Sequence, residues 1–303
     1  MLPRGIVSVL QTPFDGQGEL DETSLARLVD SAIAAGVSGL LAPVVASEVE
    51  ALSSTERERV VRIVSVAARG RVPLIVGASA EEARQCVDHA ALAREIGAAA
   101  YLVAVPPRLY REPDRVVAFF RDVVAGVGEL PLVIQDLEFG GPGLDLSTLA
   151  ELRQCLPPLV GLKIETVPSG PKYTAVRDAF GEGFYISGGW AVPQMIEALD
   201  RGVDAMMPES SMIVVYVAIE KAHRGGDRAR ARRVFQALLP VLAYTNQEIA
   251  TSIAFFKRLL VRKGIFETAR MRLGAFEWDR FNERIADELI EHYLALESEV
   301  RGV

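Results

Sequence analysis

The sequence predicts a (β/α)8 TIM barrel followed by a C-terminal helical extension. Short apolar runs alternate with segments of helical periodicity eight times within roughly 220 residues, close to the usual size of such a barrel. After Gly225-Gly226 the apolar runs stop, and helical patterns follow one another directly. The first apolar run leads into Gln11-Thr12-Pro13-Phe14 rather than a glycine-rich phosphate loop, which argues against an open doubly wound sheet. We therefore expect a barrel over residues 1–224 and a helical extension over residues 225–303.

The predicted strands are short and apolar on both faces, as expected for strands that are covered on both sides of a parallel sheet. They fall at residues 5–10, 38–45, 72–76, 99–105, 132–135, 159–163, 184–187 and 205–207. An apolar run of this length between turn signals is consistent with a buried strand. The order of these runs along the chain supports a closed barrel of parallel strands.

The predicted helices are indicated by apolar residues at helical spacing and by start and stop signals. Leu25, Leu28 and Val29 share one helix face before a stop at Gly36, Ser53–Glu56 has the chemistry of a capping box, and Pro113 suits the first turn of a helix. Helices are predicted at residues 21–36, from 53, at 80–96, from 113, and at 146–155, 172–180, 192–201 and 211–223, with 227–245, 247–263 and 278–300 in the extension.

The composition argues against several classes of protein. The chain has 303 residues, 50% of them hydrophobic, and a formal net charge of −7 with dispersed basic residues, which does not suggest a nucleic-acid-binding surface. Its two cysteines and three histidines form no CxxC motif or cluster, so we expect no metal site and no cofactor. No apolar run reaches transmembrane length and the N-terminus does not look like a signal peptide, so we expect a soluble cytoplasmic protein with no membrane partner.

One lysine stands out in the sixth predicted strand. Lys163 lies near its carboxyl end, and Gly161 on the same face is expected to leave space beside it. A lysine at a strand end often extends along the surface to solvent. A buried amine is instead disfavoured in its charged form, and the neutral form can attack a carbonyl carbon to make a Schiff base. The residues alone leave both interpretations of Lys163 open.

Several motifs occur together in an order that resembles a known family. They are Thr12-Pro13-Phe14 after the first strand, Leu52 followed by Ser53–Glu56, Gly161-Leu162-Lys163 on the sixth strand, and Ser187-Gly188-Gly189 after the seventh. Over essentially the whole chain, this arrangement resembles the dihydrodipicolinate synthase / N-acetylneuraminate lyase family of class I aldolases, of which the chain would be a divergent member. The resemblance implies that Lys163 forms a Schiff base with pyruvate or another 2-oxo acid. It also implies a homo-oligomer, either a dimer or a tetramer.

The sequence departs from the family pattern at residues that would transfer protons. Val44–Glu48 replaces the family's Gly-Thr-Thr-Gly-Glu, so both threonine hydroxyls are absent and Glu48 alone agrees well. Gln135 stands where the family carries a proton-shuttling tyrosine, and a glutamine amide does not titrate. The arginine that receives the second substrate in dihydrodipicolinate synthases has no counterpart in Glu138–Gly143. We therefore expect the protein not to be a true dihydrodipicolinate synthase.

The missing residues require other acid–base candidates. Glu165 follows Lys163 by two residues and would share its face if the strand continued. Glu48 is the second candidate, with a structural hydrogen-bonding role as the alternative, and Asp136 is either a third candidate or a turn residue. The residues expected to bind the substrate are Val45, Ala46, Gln135, Ser187, Gly188 and Trp190.

The leading functional hypothesis is a Schiff-base-forming lyase, aldolase or dehydratase that acts on a 2-oxo acid or a related small carbonyl compound. The alternative is a non-catalytic small-molecule-binding or regulatory protein on the same barrel, because a retained lysine without the hydroxyl relay fits either class. A metal-dependent barrel enzyme is a third hypothesis, which the absence of histidines near the predicted strand ends disfavours.

Overall fold

The computed structural model describes residues 1–190, 192–273 and 276–302. In these residues, eight parallel strands form a closed barrel in the order β1-β2-β3-β4-β5-β6-β7-β8. The strands are β1 (Gly5–Val9), β2 (Gly39–Ala42), β3 (Leu74–Gly77), β4 (Ala100–Ala104), β5 (Leu132–Asp136), β6 (Leu159–Ile164), β7 (Tyr185–Gly188) and β8 (Ala205–Met206). The (β/α)8 barrel predicted from the sequence is confirmed.

A helix separates each strand from the next. The helices of this alternating part are α1 (Glu22–Ala35), α2 (Ser54–Ala68), α3 (Ala83–Glu95), α4 (Pro113–Val127), α5 (Leu146–Cys155), α6 (Ser169–Phe180), α7 (Met195–Asp200) and α8 (Ile213–Arg224). They are followed by α9 (Arg228–Thr245), α10 (Ile249–Arg262) and α11 (Arg280–Arg301). Among the described residues, none of these helices is both long enough and apolar enough to cross a membrane.

Side-chain caps fix where several helices begin. Asp21 Oδ1 accepts a hydrogen bond of 2.9 Å from Ser24 N at the start of α1. Ser53 and Glu56 form the capping box predicted for α2, in which Glu56 Oε2 accepts from Ser53 N at 2.9 Å. Each cap satisfies an N–H group that the first helical turn leaves free and typically stabilises a helix by ~1 kcal/mol.

The chain divides into two compact units, each made of segments that are distant in the sequence. The first contains Met1–Arg4 and Pro73–Met207, and therefore the strands from β3 to β8. The second contains Gly5–Val72 and Pro208–Val303, and therefore β1, β2 and the last helices of the chain. The described residues after α8 contain helices and no strand. The extension as a separate domain over residues 225–303 stays a prediction.

Candidate active site

Two rows of side chains on β5, β6 and β7 face opposite sides of the sheet. Asp136, Ile164 and Gly188 are aligned. This row faces α6, because the Asp136 carboxylate pairs with Lys172 of α6 and a Cβ on Gly188 would lie 2.4 Å from the Tyr173 hydroxyl oxygen. One residue earlier, Gln135, Lys163 and Ser187 are aligned. Since successive strand residues point to opposite faces, this second row points away from α6 and towards the barrel axis.

The Glu165 carboxylate joins two members of the inner row. Its Oε2 accepts a hydrogen bond of 2.9 Å from Lys163 Nζ and one of 2.5 Å from Gln135 Nε2. The side chains of Lys163 and Glu165 are each only 4% exposed. Lys163 therefore does not extend to solvent, and its amine lies beside a carboxylate that can accept or return a proton. The face shared by Glu165 and Lys163 was expected from their spacing.

Gly161 and Gly189 lie near this pair and differ in what they face. A Cβ on Gly161 would lie 2.4 Å from the carbonyl oxygen of Tyr185, so the prediction that Gly161 leaves space beside Lys163 is wrong. Gly161 instead allows the close approach of β7. The glycine that faces the pair is Gly189, where a Cβ would lie 2.2 Å from Glu165 Oε1 and 2.7 Å from Lys163 Cε.

Some buried polar atoms near the strand ends have no partner among the described residues. Gln135 Oε1, Thr166 Oγ1 and Trp190 Nε1 each lack a hydrogen bond within that part of the chain. Buried polar atoms are nearly always hydrogen-bonded in folded proteins, so an exception requires an explanation. Of these three residues, Gln135 belongs to the row that points towards the barrel axis, where a polar ligand would provide a partner for its Oε1.

The other expected substrate-binding residues of the first unit differ in what they offer. Ser187 Oγ donates to the Leu162 carbonyl oxygen at 3.1 Å, so its hydroxyl is used within the sheet. Gly188 belongs to the row that faces α6, where a Cβ would lie 2.4 Å from Tyr173 Oη. Trp190 has a positive φ of 46° and packs edge-on against Phe139, with ring centroids 4.9 Å apart.

Asp136 has partners on the outer face of the sheet. Its Oδ2 accepts a 2.5 Å hydrogen bond from Lys172 Nζ, and its Oδ1 accepts one of 3.1 Å from Leu144 N. Burial raises the pKa of Asp136, although the Lys172 ammonium opposes this shift. Burial also raises the pKa of Tyr110, and the neighbouring charge of Asp136 adds to the effect. Asp136 therefore points away from the Lys163 row and supports the loop after β5.

Glu48 lies in the second unit, where several groups hold its carboxylate. It forms a buried ion pair with Lys257, and its Oε2 accepts hydrogen bonds from Arg272 N at 2.6 Å and Leu273 N at 2.8 Å. Lys257 Nζ also donates to the Arg270 carbonyl oxygen at 2.7 Å. Burial lowers the pKa of Lys257 to about 8, although the Glu48 charge opposes the shift. These contacts support the structural alternative for Glu48, since they attach the segment before residue 274 to the loop after β2.

Val45 and Ala46 are half-buried in a short 3-10 helix, Val45–Ser47, of the same loop. The hydroxyls that are present there support the backbone. Thr12 Oγ1 donates to the Ser47 carbonyl oxygen at 2.7 Å, and Ser47 Oγ donates to the Leu10 carbonyl oxygen at 2.6 Å. The side chains of Val45 and Ala46 can offer a ligand only apolar contact.

The fold and the inner row together define a class: a (β/α)8 barrel protein with a buried amine–carboxylate pair at the carboxyl end of its sixth strand. No group of three or more His, Cys, Asp or Glu residues in the described ranges is placed to hold a metal ion.

The chain belongs to the dihydrodipicolinate synthetase family, whose model matches residues 2–284. This family consists of class I lyases and aldolases, and the resemblance seen in the motifs is confirmed. L-2-keto-3-deoxyarabonate dehydratase of Azospirillum brasilense is 29% identical over 89% of this chain and 87% of its own length. The 4-hydroxy-tetrahydrodipicolinate synthase of Thermomicrobium roseum is 31% identical over 78% of each chain. A catalytic lysine mutant of Ruminococcus gnavus sialic acid aldolase shares the fold, with a TM-score of 0.89 at 16% identity over 98% of this chain and 97% of that one.

Proposed function

We propose that the protein is a Schiff-base-forming lyase or dehydratase that acts on a small 2-oxo acid. Lys163 is the nucleophile, and Glu165 moves its proton. The observation that carries this proposal is the 2.9 Å hydrogen bond between Lys163 Nζ and Glu165 Oε2, made by side chains that are each 4% exposed. Exclusion of water strengthens the interaction of such a pair and protects a reactive intermediate from side reactions.

The first step forms the imine. Glu165 takes a proton from the Lys163 ammonium, and the neutral amine attacks the C2 carbonyl carbon of the 2-oxo acid. Glu165 then returns a proton to the carbinolamine hydroxyl, which leaves as water. The balance is one ammonium and one ketone converted to one iminium ion and one water molecule. The iminium ion is a better electron sink than the ketone, so bonds at C3 become labile.

Loss of water from C3 and C4 is the second step that the side chains favour. Glu165 removes a proton from C3 to give an enamine, the C4–O bond breaks, and Glu165 returns that proton to the departing hydroxyl, which leaves as water. Hydrolysis of the unsaturated iminium ion then regenerates the Lys163 amine. Cleavage of C3–C4 would require a group that takes the proton of the C4 hydroxyl, and Gln135 does not titrate. A dehydratase among the relatives, which aligns over 89% of this chain, supports this direction.

Condensation of pyruvate with aspartate semialdehyde is not the reaction that we propose. Val45 and Ala46 carry no hydroxyl, Gln135 cannot shuttle protons, and Glu138–Gly143 contains no arginine to receive a second carboxylate.

We further propose that the protein is cytoplasmic and forms a dimer or tetramer. Light scattering tests the assembly, and a monomeric mass at micromolar concentration would contradict it.

Borohydride reduction followed by intact-mass spectrometry tests the proposed function. The protein is incubated with pyruvate and a panel of larger 2-oxo acids, reduced, and weighed. We expect an adduct on the parent and on Lys221→Ala, which removes an exposed lysine of α8, and none on Lys163→Ala. Glu165→Gln keeps the amine but loses the proton carrier, so its adduct should form roughly 10²- to 10⁴-fold more slowly.

Two results would contradict the proposal: no adduct on the parent with any acid of the panel, or equal adducts on the parent and on Lys163→Ala. An adduct on Lys163 with no product from any acid of the panel would instead favour the second candidate, a non-catalytic binding protein. The apolar residues Val45 and Ala46 in the loop after β2 are the observation that supports that candidate.

A further inference from the structure

We propose that Gln135 accepts a hydrogen bond from a hydroxyl group of the substrate. The site would therefore bind 2-oxo acids that carry a hydroxyl near the carbonyl in preference to those that do not. The inference rests on the proposed function in one respect, which is that Lys163 marks the position of the carbonyl carbon. It assigns to Gln135 a specificity role that differs from proton transfer.

The orientation of the Gln135 amide follows from its neighbour. Gln135 is 1% exposed and is the register partner of Lys163 on the adjacent strand. Its Nε2 lies 2.5 Å from Glu165 Oε2, and an ionised carboxylate oxygen can only accept a hydrogen bond. The amide N–H must therefore face Glu165, and Oε1 is held on the other side of the amide.

The Gln135 Oε1 atom is a buried acceptor with no partner in the part of the chain that the structure describes. An amide oxygen accepts hydrogen bonds and cannot donate them. At neutral pH the oxo and carboxylate oxygens of a 2-oxo acid also only accept. A substrate group that pairs with Oε1 has to be a donor, and in a hydroxylated 2-oxo acid the hydroxyl is that donor.

The expected discrimination is large because an analogue without the hydroxyl leaves the buried acceptor unpaired. The penalty for one such unpaired neutral group corresponds to roughly 10- to 100-fold in binding. Sites built to hydrogen-bond a substrate hydroxyl reject the analogue that lacks it much more strongly than apolar sites reject a missing methylene group. The Glu165 carboxylate contributes by preventing the amide from turning over.

Calorimetric binding to Lys163→Ala isolates hydroxyl recognition from imine chemistry. The probes are 4-hydroxy-2-oxopentanoate and 2-oxopentanoate, which share one carbon skeleton. We expect a Kd roughly 10- to 100-fold lower for the hydroxylated probe, and a ratio within about 3-fold in Lys163→Ala/Gln135→Met, which keeps the side-chain volume without the acceptor. Gln135→Leu replaces Gln135→Met if the latter shows no cooperative melt. If neither double variant folds, the ratio of the two Kd values in Lys163→Ala decides whether the site prefers the hydroxylated probe.

Equal affinities in Lys163→Ala, an unchanged ratio in the double variant, or no binding of either probe would overturn the inference. Borohydride trapping of the parent with the same probes separates this failure from that of the proposed function. An adduct without a hydroxyl preference defeats only the inference. A calorimetric preference without an adduct defeats only the Schiff-base proposal.

Discussion

Replacement of Gly189 by alanine would place one methyl group against the proposed reacting pair. The new Cβ would lie 2.2 Å from Glu165 Oε1 and 2.7 Å from Lys163 Cε. Unstrained non-bonded contacts between heavy atoms lie near ~3.5 Å. Both side chains must therefore move by about 1 Å to make room.

The size of the effect follows from which atoms must move. A displacement of ~1 Å in a catalytic geometry can cost about 10²-fold in rate. Overpacking of a core commonly costs ~1–3 kcal/mol of folding free energy. Here the obstructing atoms are ends of side chains and not backbone, so we expect a stability loss near ~1 kcal/mol. We therefore expect a large loss in the rate of adduct formation at Lys163 and only a small loss of folding free energy.

The assay compares Gly189→Ala with Gly183→Ala, where a Cβ would meet no heavy atom within 4 Å. The rate of adduct formation with pyruvate under borohydride measures the site, and urea unfolding measures stability. We expect roughly 100-fold slower trapping by Gly189→Ala and a rate close to that of the parent for Gly183→Ala. Equal trapping rates in the two variants would refute the argument that Lys163 and Glu165 react as the pair that faces Gly189.

Further predictions concern pH, reaction type and assembly. Burial lowers the pKa of Lys257 from 10.5 to about 8, so between these values the unfolded chain holds a proton that the folded chain has lost. Lys257 should therefore make the free energy of unfolding rise with pH by up to roughly 1.4 kcal/mol per pH unit. Urea titrations at pH 8–10 should show a smaller rise of the unfolding free energy with pH for Lys257→Met than for the parent. An identical rise in both proteins would contradict this. A coupled assay with pyruvate and aspartate semialdehyde should show slow or no turnover, whereas rapid dihydrodipicolinate formation would show that Gln135 is no obstacle. Light scattering should give a mass of at least two chains.

Local signals in the sequence predicted the existence of the strands and helices, and neighbouring residues changed their limits. The second strand was predicted at residues 38–45 but ends at Ala42, because Pro43 has no N–H for the sheet and Val45–Ser47 is helical. Helix α6 begins at Ser169 instead of residue 172, since Pro171 occupies the first turn, where a missing N–H costs little. Helix α7 begins at Met195 instead of residue 192, since Val192 has a left-handed φ of 51° that a right-handed helix does not contain.

Spacing within a strand predicted the central part of the candidate site, whereas contacts between distant segments were not predictable from local patterns. Glu165 follows Lys163 by two residues, and the period of a strand brings both to one face. The ion pair between Glu48 and Lys257 joins segments far apart in the chain, and no periodicity in either segment indicates it. The unpaired Gln135 Oε1 also became evident only once the partner of Nε2 was known.

Peptide mapping of the borohydride-reduced protein tests the central claim most directly. The chain contains five lysines, of which Lys257 has its pKa lowered to about 8 by burial and is the strongest rival as a nucleophile. We predict that tandem mass spectrometry finds the reduced 2-oxo acid adduct on the peptide that contains Lys163 and on no other lysine. An adduct on Lys257, or on any lysine other than Lys163, would contradict it.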